Sequence, residues 1–591
     1  MKIYNIFQIN DWEFKKFFIV VSMVQLATWG TIVLDHIGLQ TPILRPLIAF
    51  IYLIFVPGIT ILRCLKLHNL GNIETLLYTV GLSITTLMFI GFFINSFYPL
   101  FNISKPLSLA PLIITITIVQ LILIILCYMI DKNFSNPSFI DFKDILSPTF
   151  LILILIPFLV VFGTFLVNFY TDSTLLMYLL LLISTLVILV GFDYLIPSKY
   201  YSFTIFLIAL SLLFHTSLIT MYISGWDIQK EFYSSNFIIE NSLWDSTNIS
   251  PVNSTLSIVM LAPIFSIISG MSQIWVFKII YPLLFSLVPL GLYQVYQKQT
   301  NDNIAFLACF FFVSLFTFYT EMLSVARQEI AELFLVLLIL LIVDTKMDRM
   351  KYSMLSIVFI FSLCVSHYAL SFIFLFLLSI TFLLRYFNVL PERKNMTSIT
   401  GATFVLLSFV IILSWYAYIG NSYTFNTFVL TLRNIVINSI IELFSSTSST
   451  DTQGLYLLTS KTGSLLHEIT KYLHIISQVF ITIGVISLLL KQSKTKMKFK
   501  KEYIIFSELS YILLLAGIVL PFLASSINTT RLYQISLIFL APFFVIGGLV
   551  FFDLVNSSIK VFRISRGLVN PFKLLSVFLS IYLLFNSGWV Y

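Results

Sequence analysis

The chain has 591 residues, of which 59% are hydrophobic and 10% are charged. Soluble globular proteins carry about 25% charged residues, so this composition excludes an ordinary soluble domain. The formal net charge is +8, but in a membrane protein the distribution of Lys and Arg along the chain matters more than their sum. The charge therefore gives no indication of nucleic-acid binding.

Apolar runs long enough to cross a bilayer as helices recur along the chain. We predict an all-α polytopic bundle of about 17 spans, because the short alternating segments of a transmembrane β-barrel do not occur. The predicted spans lie, in chain order, near residues 17–35, 43–62, 76–97, 108–130, 148–170, 174–191, 201–223, 274–296, 303–320, 330–345, 352–366, 369–385, 401–419, 472–490, 504–526, 534–554 and 573–590.

Both termini lie beside apolar runs. Lysines precede the first run without a small-residue cleavage site, which predicts a retained first helix rather than a removed signal. The last residues, NSGWVY, follow a predicted span on the outer side, which leaves room for a further external segment. The four cysteines show no CxxC or CxxH spacing, so neither a disulfide framework nor a zinc site is indicated.

The distribution of basic residues predicts the orientation of the bundle. The segment KQSKTKMKFKK, 491–501, is the strongest cytoplasmic anchor under the positive-inside rule. Alternation from this anchor predicts a cytoplasmic N-terminus and two large external loops, at 224–273 and 420–471. The apolar stretch 256–270 would break the alternation if it crossed, but it is short and contains a proline. We predict an interfacial or re-entrant helix there.

The chain divides into two predicted parts. Residues 1–145 form a four-span module, with a Pro57-Gly58 break in the second span. Residues 148–591 contain the remaining spans and the large external loops.

The first external loop opens with GWDIQKEF, in which Asp227 and Glu231 are four residues apart. A helix would place both carboxylates on one face. Carboxylates at a membrane boundary can act as general bases, bind a divalent metal, or simply be solvated. An amphipathic interfacial helix with an aromatic belt would show the same spacing.

Three further polar residues share the predicted outer side. Arg327 could meet a phosphate with its planar guanidinium, or it could be a snorkelling arginine paired with a carboxylate. Arg531 begins a predicted span on the same side, and His367 separates two apolar runs. A lone histidine is more often structural than catalytic. The motifs GxxxxGK[ST], GxSxG and HExxH are missing from the sequence, so nucleotide hydrolysis and common hydrolase or zinc chemistry lack support.

Several stretches carry a family resemblance, namely GWDIQKEFYSSNFIIENSLWD, ARQEIAELF, SHY and TRLYQISLIFLAPF. They resemble a domain-of-unknown-function family of large archaeal membrane proteins found chiefly in methanogens. FVPGITILR looks like part of that family's N-terminal module. The chain is more weakly similar to the GT-C glycosyltransferases, which take sugars from polyprenyl phosphates and keep an acidic residue in the first large external loop.

The GT-C similarity implies a transferase on the outer face of the cell membrane, with the GT-C-like part in 148–591. Asp227 matches the acidic position, where it would deprotonate an acceptor hydroxyl or help to hold a metal, and Glu231 would support it. Arg327 and Arg531 match loosely the arginines that contact the donor phosphate, and His367 would line the pocket. The chain departs from that pattern because it has no DxD and several spans precede the loop.

The implied partners are the bilayer and a lipid-linked sugar donor, whereas no protein partner is indicated. A divalent metal is compatible with the carboxylates, but no cofactor is assigned. Two other functions fit the same sequence: a transporter or flippase of a lipid-linked envelope precursor, and a non-catalytic scaffold for envelope assembly.

Overall fold

The computed structural model describes residues 2–344, 346–387, 399–444, 463–490, 497–519, 528–561 and 570–591. Within these ranges the chain is almost entirely helical. The one sheet that they contain pairs two short antiparallel strands, β1 (Lys2–Tyr4) and β2 (Phe139–Asp141), with Lys2 opposite Asp141. The predicted all-α class is confirmed.

The longer helices are numbered here in chain order. The first ten are α1 (Phe14–His36), α2 (Leu44–Cys64), α3 (Asn72–Phe97), α4 (Leu109–Asp131), α5 (Pro148–Tyr170), α6 (Thr174–Gly191), α7 (Tyr201–Ser217), α8 (Trp226–Asn241), α9 (Leu261–Ser269) and α10 (Gln273–Gln297). The next ten are α11 (Asp302–Ser314), α12 (Ala326–Val343), α13 (Arg349–Ser366), α14 (Tyr368–Tyr386), α15 (Ala402–Tyr418), α16 (Tyr423–Phe444), α17 (Leu465–Leu489), α18 (Lys501–Val519), α19 (Thr529–Val561) and α20 (Pro571–Asn586).

Thirteen of the described helices are long and apolar enough to cross a membrane, or 14 if a bent pair counts as one span. The pair is Asp302–Ser314 with Phe316–Ser324, which meet at 66°. The other three spans predicted from the sequence coincide with α12, α18 and α20, which lie outside that count. A polytopic helical bundle is therefore the architecture of this chain.

Helix α12 lies at the centre of the bundle. All of its residues from Ala326 to Val343 are buried, and it packs against α3, α10 and α13. A helix that is apolar around most of its circumference needs such an enclosed position, or lipid, on every side. Helices α4 and α5 show the opposite pattern and expose large apolar side chains such as Ile125 and Phe158, as expected of a lipid-facing surface.

The predicted break at Pro57-Gly58 is wrong, because α2 runs without interruption from Leu44 to Cys64. These residues mark a close helix crossing instead. A Cβ atom at Gly58 would lie 1.8 Å from the carbonyl oxygen of Thr79 on α3. The backbone N–H of Gly58 donates to Ser83 Oγ at 2.8 Å. Small residues allow membrane helices to approach in this way.

The 256–270 stretch forms two short helices, Leu256–Val259 and α9, which are too short to span. They are buried among protein helices, with Leu256 and Ala262 fully enclosed, which contradicts the interfacial alternative and leaves the re-entrant one. Arg45 on α2 holds the end of α9 by donating to the carbonyl oxygens of residues 267 and 268, at 2.9 and 3.0 Å. The N-terminal helices and the remainder thus share one hydrophobic core.

The second predicted external loop, 420–471, is partly helical. The chain bends at Gly420 and Asn421, which have positive φ angles, and continues as α16. Residues 445–462 of that loop lie outside the described ranges, as do residues 491–496 of the predicted cytoplasmic anchor.

Candidate functional site

Helix α8 brings the two predicted carboxylates to one face. Gly225 precedes the helix with a φ of +131°, and Asp227 lies in its first turn, where a negative charge is favoured by the helix dipole. One turn later, Glu231 is completely buried, whereas the Asp227 side chain is 24% exposed. Lys230 points to the surface. The pair therefore extends from the mouth of the site into the protein.

Two arginines from distant helices meet these carboxylates. Arg327, in the first turn of α12, donates from Nη1 to Glu231 Oε1 and places Nη2 3.6 Å from Asp227 Oδ2. Arg531, at the start of α19, donates from Nη1 to the same Asp227 Oδ2 at 2.9 Å. A single carboxylate oxygen thus lies between two guanidinium groups.

The first residue of α14, Tyr368, and the residue before it, His367, support Arg327. The Tyr368 ring faces the guanidinium with its centroid 5.8 Å away, which is within cation–π range. His367 stacks on Tyr368 with ring centroids 5.1 Å apart, and its Nδ1 accepts a hydrogen bond from the backbone N–H of Leu370 at 3.2 Å. His367 therefore caps α14, and its predicted part in substrate binding stays a prediction.

Burial sets the protonation of two groups in the site. The pKa of His367 is held well below its usual range by burial and by the positive charges of Arg327 and Arg531, so the ring is neutral. Burial raises the pKa of Glu231 to about 7, against the opposing effect of Arg327 and with a further rise from Asp227. Glu231 consequently exchanges a proton near neutral pH.

Both arginines keep an unused donor. The Nε atoms of Arg327 and Arg531 are buried and have no hydrogen-bond partner among the described residues, and neither has Glu231 Oε2. Buried polar groups are usually satisfied, so each of these Nε–H groups lacks an acceptor that a buried donor normally has. An anion would match two converging guanidinium groups.

Sequence reasoning assigned no role to two residues that support the site, Tyr368 and Glu321. Glu321 Oε2 accepts a hydrogen bond from Thr530 Oγ1 at 2.6 Å and so fixes the start of α19 beside the turn before α12. A carboxylate in a short polar turn between two apolar segments was the available signal. The pairing of Glu321 with Thr530, 209 positions later, could not be predicted from the sequence.

Two more carboxylates lie inside the bundle, one and two turns along α12 from its start. Glu329 and Glu332 are buried, and Glu332 Oε1 accepts from Gln328 Nε2 at 3.0 Å. The Oε2 atom of each has no partner among the described residues. Both side chains are thus enclosed by protein within the first two turns of α12.

A polar pocket of about 280 Å³ adjoins the start of α8. Its lining residues come from the end of α7, the segment before α8, the first turn of α8, α10 and the turn before α12. They are Thr216, Ser217, Ile223, Ser224, Gly225, Ile228, Phe277, Lys278, Thr320, Leu323 and Ser324. A shallower recess of about 390 Å³ includes Tyr201, at the other end of α7. The length of α7, about 24 Å at 1.5 Å per residue, separates the two.

The carboxylates do not fit a divalent metal. The described residues contain no group of three or more His, Cys, Asp or Glu side chains placed to hold one. The exposed carboxylate, Asp227, is already engaged by two arginines. Two positive guanidinium groups beside the oxygen would repel a cation, so this donor set favours an anion.

The comparison with protein families covers the C-terminal part of the chain. Residues 352–591 match the model of a family described as "Predicted membrane protein (DUF2206)". The matched segment includes His367 and Arg531 and begins after Asp227, Glu231 and Arg327. No curated protein matches the chain. From residue 352 onward, the chain is therefore similar to a membrane-protein family whose function is not defined, in agreement with its many candidate spans.

Proposed function

We propose that this protein is a membrane-embedded transferase that moves a sugar from a polyprenyl-phosphate donor to an acceptor hydroxyl on the outer face of the cell membrane. The observation that carries the proposal is the meeting of Arg327 and Arg531 at one oxygen of Asp227. Each arginine also keeps a buried Nε–H without a partner among the described residues. Two guanidinium groups suit a phosphate, and the adjacent carboxylate suits a base.

In this proposal the donor phosphate takes over the N–H groups that now hold Asp227. The carboxylate is then released beside the donor, where it can accept a proton. Arg531 is partly exposed and could meet the phosphate first, whereas Arg327 is buried and held by Glu231 and Tyr368. An arginine that is fixed in advance stabilises developing negative charge without reorganising during the reaction.

The transfer step forms one bond and breaks another. The acceptor oxygen attacks the anomeric carbon, and the bond from that carbon to the phosphate oxygen breaks. The bonding electrons leave with polyprenyl phosphate, whose added negative charge the arginines stabilise. The acceptor proton passes to Asp227. No metal takes part, because the donor set of the site does not fit one.

The test is Asp227→Asn in the full chain reconstituted in liposomes. We expect release of polyprenyl phosphate from labelled polyprenyl-phosphate hexoses to fall by about 100-fold or more, the usual contribution of a general base. Membrane extract supplies the acceptor. Glu240→Gln is the matched control, since Glu240 is an exposed carboxylate of the same helix. Equal release by D227N and the wild type would refute the role of Asp227 as the base.

A second candidate function is a transporter or flippase for a lipid-linked precursor. The buried carboxylates Glu329 and Glu332 favour it, since ionisable residues enclosed in a membrane bundle often mark proton or ion pathways. A transporter would move lipid-linked sugar across liposomes in response to a proton gradient and would release no polyprenyl phosphate. The two activities are therefore separable in one preparation.

A further inference from the structure

A buried lysine lies in the pocket beside α8. Lys278, in the second turn of α10, is 5% exposed. Its Nζ donates to the carbonyl oxygen of Tyr222 at 2.8 Å and to Thr220 Oγ1 at 3.4 Å. Among the described residues, no carboxylate forms an ion pair with it, unlike Arg327 and Arg531, which each have one.

An ammonium group without a counter-ion is unusual at such burial. Buried charges are normally paired, because the loss of hydration is costly. Lys278 has two neutral acceptors for three N–H groups. The surroundings therefore offer a place for one anionic acceptor.

The backbone at Lys278 is irregular. Residues Val276–Ile280 form a π-helical turn within α10. Such turns are wider than α-helical turns and rare in proteins, and those that occur are often found at functional sites. Ser217 Oγ donates to the carbonyl oxygen of Lys278 at 2.9 Å. The end of α7 thus holds this turn in place and contributes to the same pocket.

The lining of the pocket has a definite chemical character. Five hydroxyl side chains, those of Thr216, Ser217, Ser224, Thr320 and Ser324, accompany the ammonium group. Ser217 and Thr320 already donate their protons to carbonyl oxygens, so their oxygens remain as acceptors for hydroxyl groups of a ligand. Phe277 and Ile228 supply apolar contact.

We propose that this pocket binds a small hydroxylated ligand through a carboxylate or phosphate group held by Lys278. Its volume of about 280 Å³ is close to the lower limit of roughly 300 Å³ for ligand pockets. That size suits a single sugar-sized molecule. The inference stands on Lys278 and its pocket and does not depend on the transfer reaction.

The pocket and the Asp227 site share two segments of chain. Gly225 and Ile228 line the pocket on either side of Asp227 in sequence, and Ser324 lies three residues before Arg327. A Cβ atom at Gly225 would lie 2.5 Å from Ser324 Oγ, so the two segments touch there. A ligand on Lys278 would therefore lie next to the charged site.

The test measures the unfolding temperature of the full chain in detergent with three probes: inorganic phosphate, glucuronate and glucose. We expect phosphate and glucuronate to raise the wild-type Tm by about 2 °C or more at saturating concentration, and glucose to raise it less. Lys278→Met removes the charge and keeps a similar length, and should abolish both shifts. Lys278→Arg should keep them, and Arg531→Gln serves as the control for the other cationic site.

Shifts lost in K278M and kept in R531Q support the inference. Shifts lost in R531Q and kept in K278M would assign the anion to the Asp227 site and overturn it, without weakening the proposed transferase. Shifts that persist in both variants, or equal shifts from glucose, would overturn it as well. K278M also removes the hydrogen bonds to Tyr222 and Thr220, so each shift is measured from the Tm of the same variant without ligand.

A second measurement uses the wild type alone. A cryo-EM map of the protein with glucuronate should show density within about 3.5 Å of Lys278 Nζ. An empty pocket at a saturating concentration would overturn the inference even if the variants failed to fold.

Discussion

At the scale of single residues, the exposure of the charged side chains decreases from the surface of the site to its interior. Asp227 and Arg531 are partly exposed, whereas Glu231 and Arg327 are enclosed. Exposed ion pairs contribute little to stability, so the outer pair is free to exchange partners with a ligand. The inner pair is different, since removing one member of a buried pair costs about 3–5 kcal/mol. The contribution of the cluster to stability therefore comes mainly from the inner pair, Glu231 and Arg327.

The raised pKa of Glu231 predicts a pH-dependent stability. Its value of about 7 in the folded protein exceeds the ordinary 4.5, so the folded state holds the proton more tightly than the unfolded state. The stabilisation of the folded state by this tighter proton binding is complete below about pH 4.5 and is lost as the pH rises through about 7. Relative to Glu231→Gln, the wild type should lose at least about 1 kcal/mol of unfolding free energy between pH 5 and pH 8.

Thermal unfolding of both proteins in detergent, followed by tryptophan fluorescence across that pH range, measures this difference. Glu240→Gln, at an exposed position of α8, should run parallel to the wild type. A wild-type curve that stays parallel to that of E231Q would contradict the assignment.

The sequence was sufficient to select Asp227, Glu231, Arg327 and Arg531 as candidates, because charged residues are rare in this chain and fall at the ends of apolar runs. It left open whether Arg327 would meet a phosphate or would be a snorkelling arginine paired with a carboxylate. The structure gives it Glu231, 96 positions earlier. The enclosure of Glu329 and Glu332 was not predictable, since it depends on which helices surround α12.

At the scale of elements, α17 and α19 make an unusually close contact. A Cβ atom at Gly484 would lie 1.9 Å from the carbonyl oxygen of Phe543, and one at Gly547 would lie 1.8 Å from that of Phe480. Each glycine thus faces the backbone of the opposite helix, which cannot yield as a side chain can. Such crossings are a main source of helix association where lipid already solvates apolar side chains.

Gly547→Val should therefore destabilise the protein by about 1–3 kcal/mol or more, the usual cost of overpacking. The lower Tm in detergent measures this. Gly30→Val is the matched control, because nothing lies within 4 Å of a Cβ atom at Gly30 on α1. Equal Tm values for the two variants would show that α17 and α19 can move apart at this crossing without loss of stability.

The elements themselves were largely predictable, because most helices follow continuous apolar runs. The exceptions have physical causes. Pro57 and Gly58 look like a helix break, but Ser83 supplies an acceptor for the backbone N–H and α3 packs against the glycine. The sequence of helix α16 was assigned to a loop because polar residues interrupt its apolar run. The helix also follows a two-residue bend at Gly420 and Asn421.

At the scale of the whole molecule, α12 connects two charged clusters. Arg327 begins it at the candidate site, and Asp344 follows its last residue. There Lys298 Nζ lies 3.2 Å from Asp344 Oδ2 and 2.5 Å from Glu74 Oε1 on α3. The helix is about 27 Å long at 1.5 Å per residue, close to the thickness of a bilayer core. The two clusters therefore mark opposite ends of the bundle.

The orientation predicted from basic residues places α8 outside and the segment around Lys501 inside. A cysteine at exposed Lys230 should react with a membrane-impermeant maleimide in intact cells, whereas a cysteine at exposed Lys501 should react only after permeabilisation. The four native cysteines are replaced by serine or alanine first. The reverse pattern would invert the topology and move the candidate site to the cytoplasmic side.

The enclosed position of α12 bears on how the protein is made. The helix carries Arg327, Glu329 and Glu332 in its first two turns, and charged residues in an inserting segment raise the free energy of its entry into the membrane. Glu231, the ion-pair partner of Arg327, lies in α8 and is synthesised before α12. We therefore expect nascent α12 to stay at the insertion machinery until α8 and α10 are beside it, so that entry into the membrane and assembly of the candidate site are a single event during biogenesis.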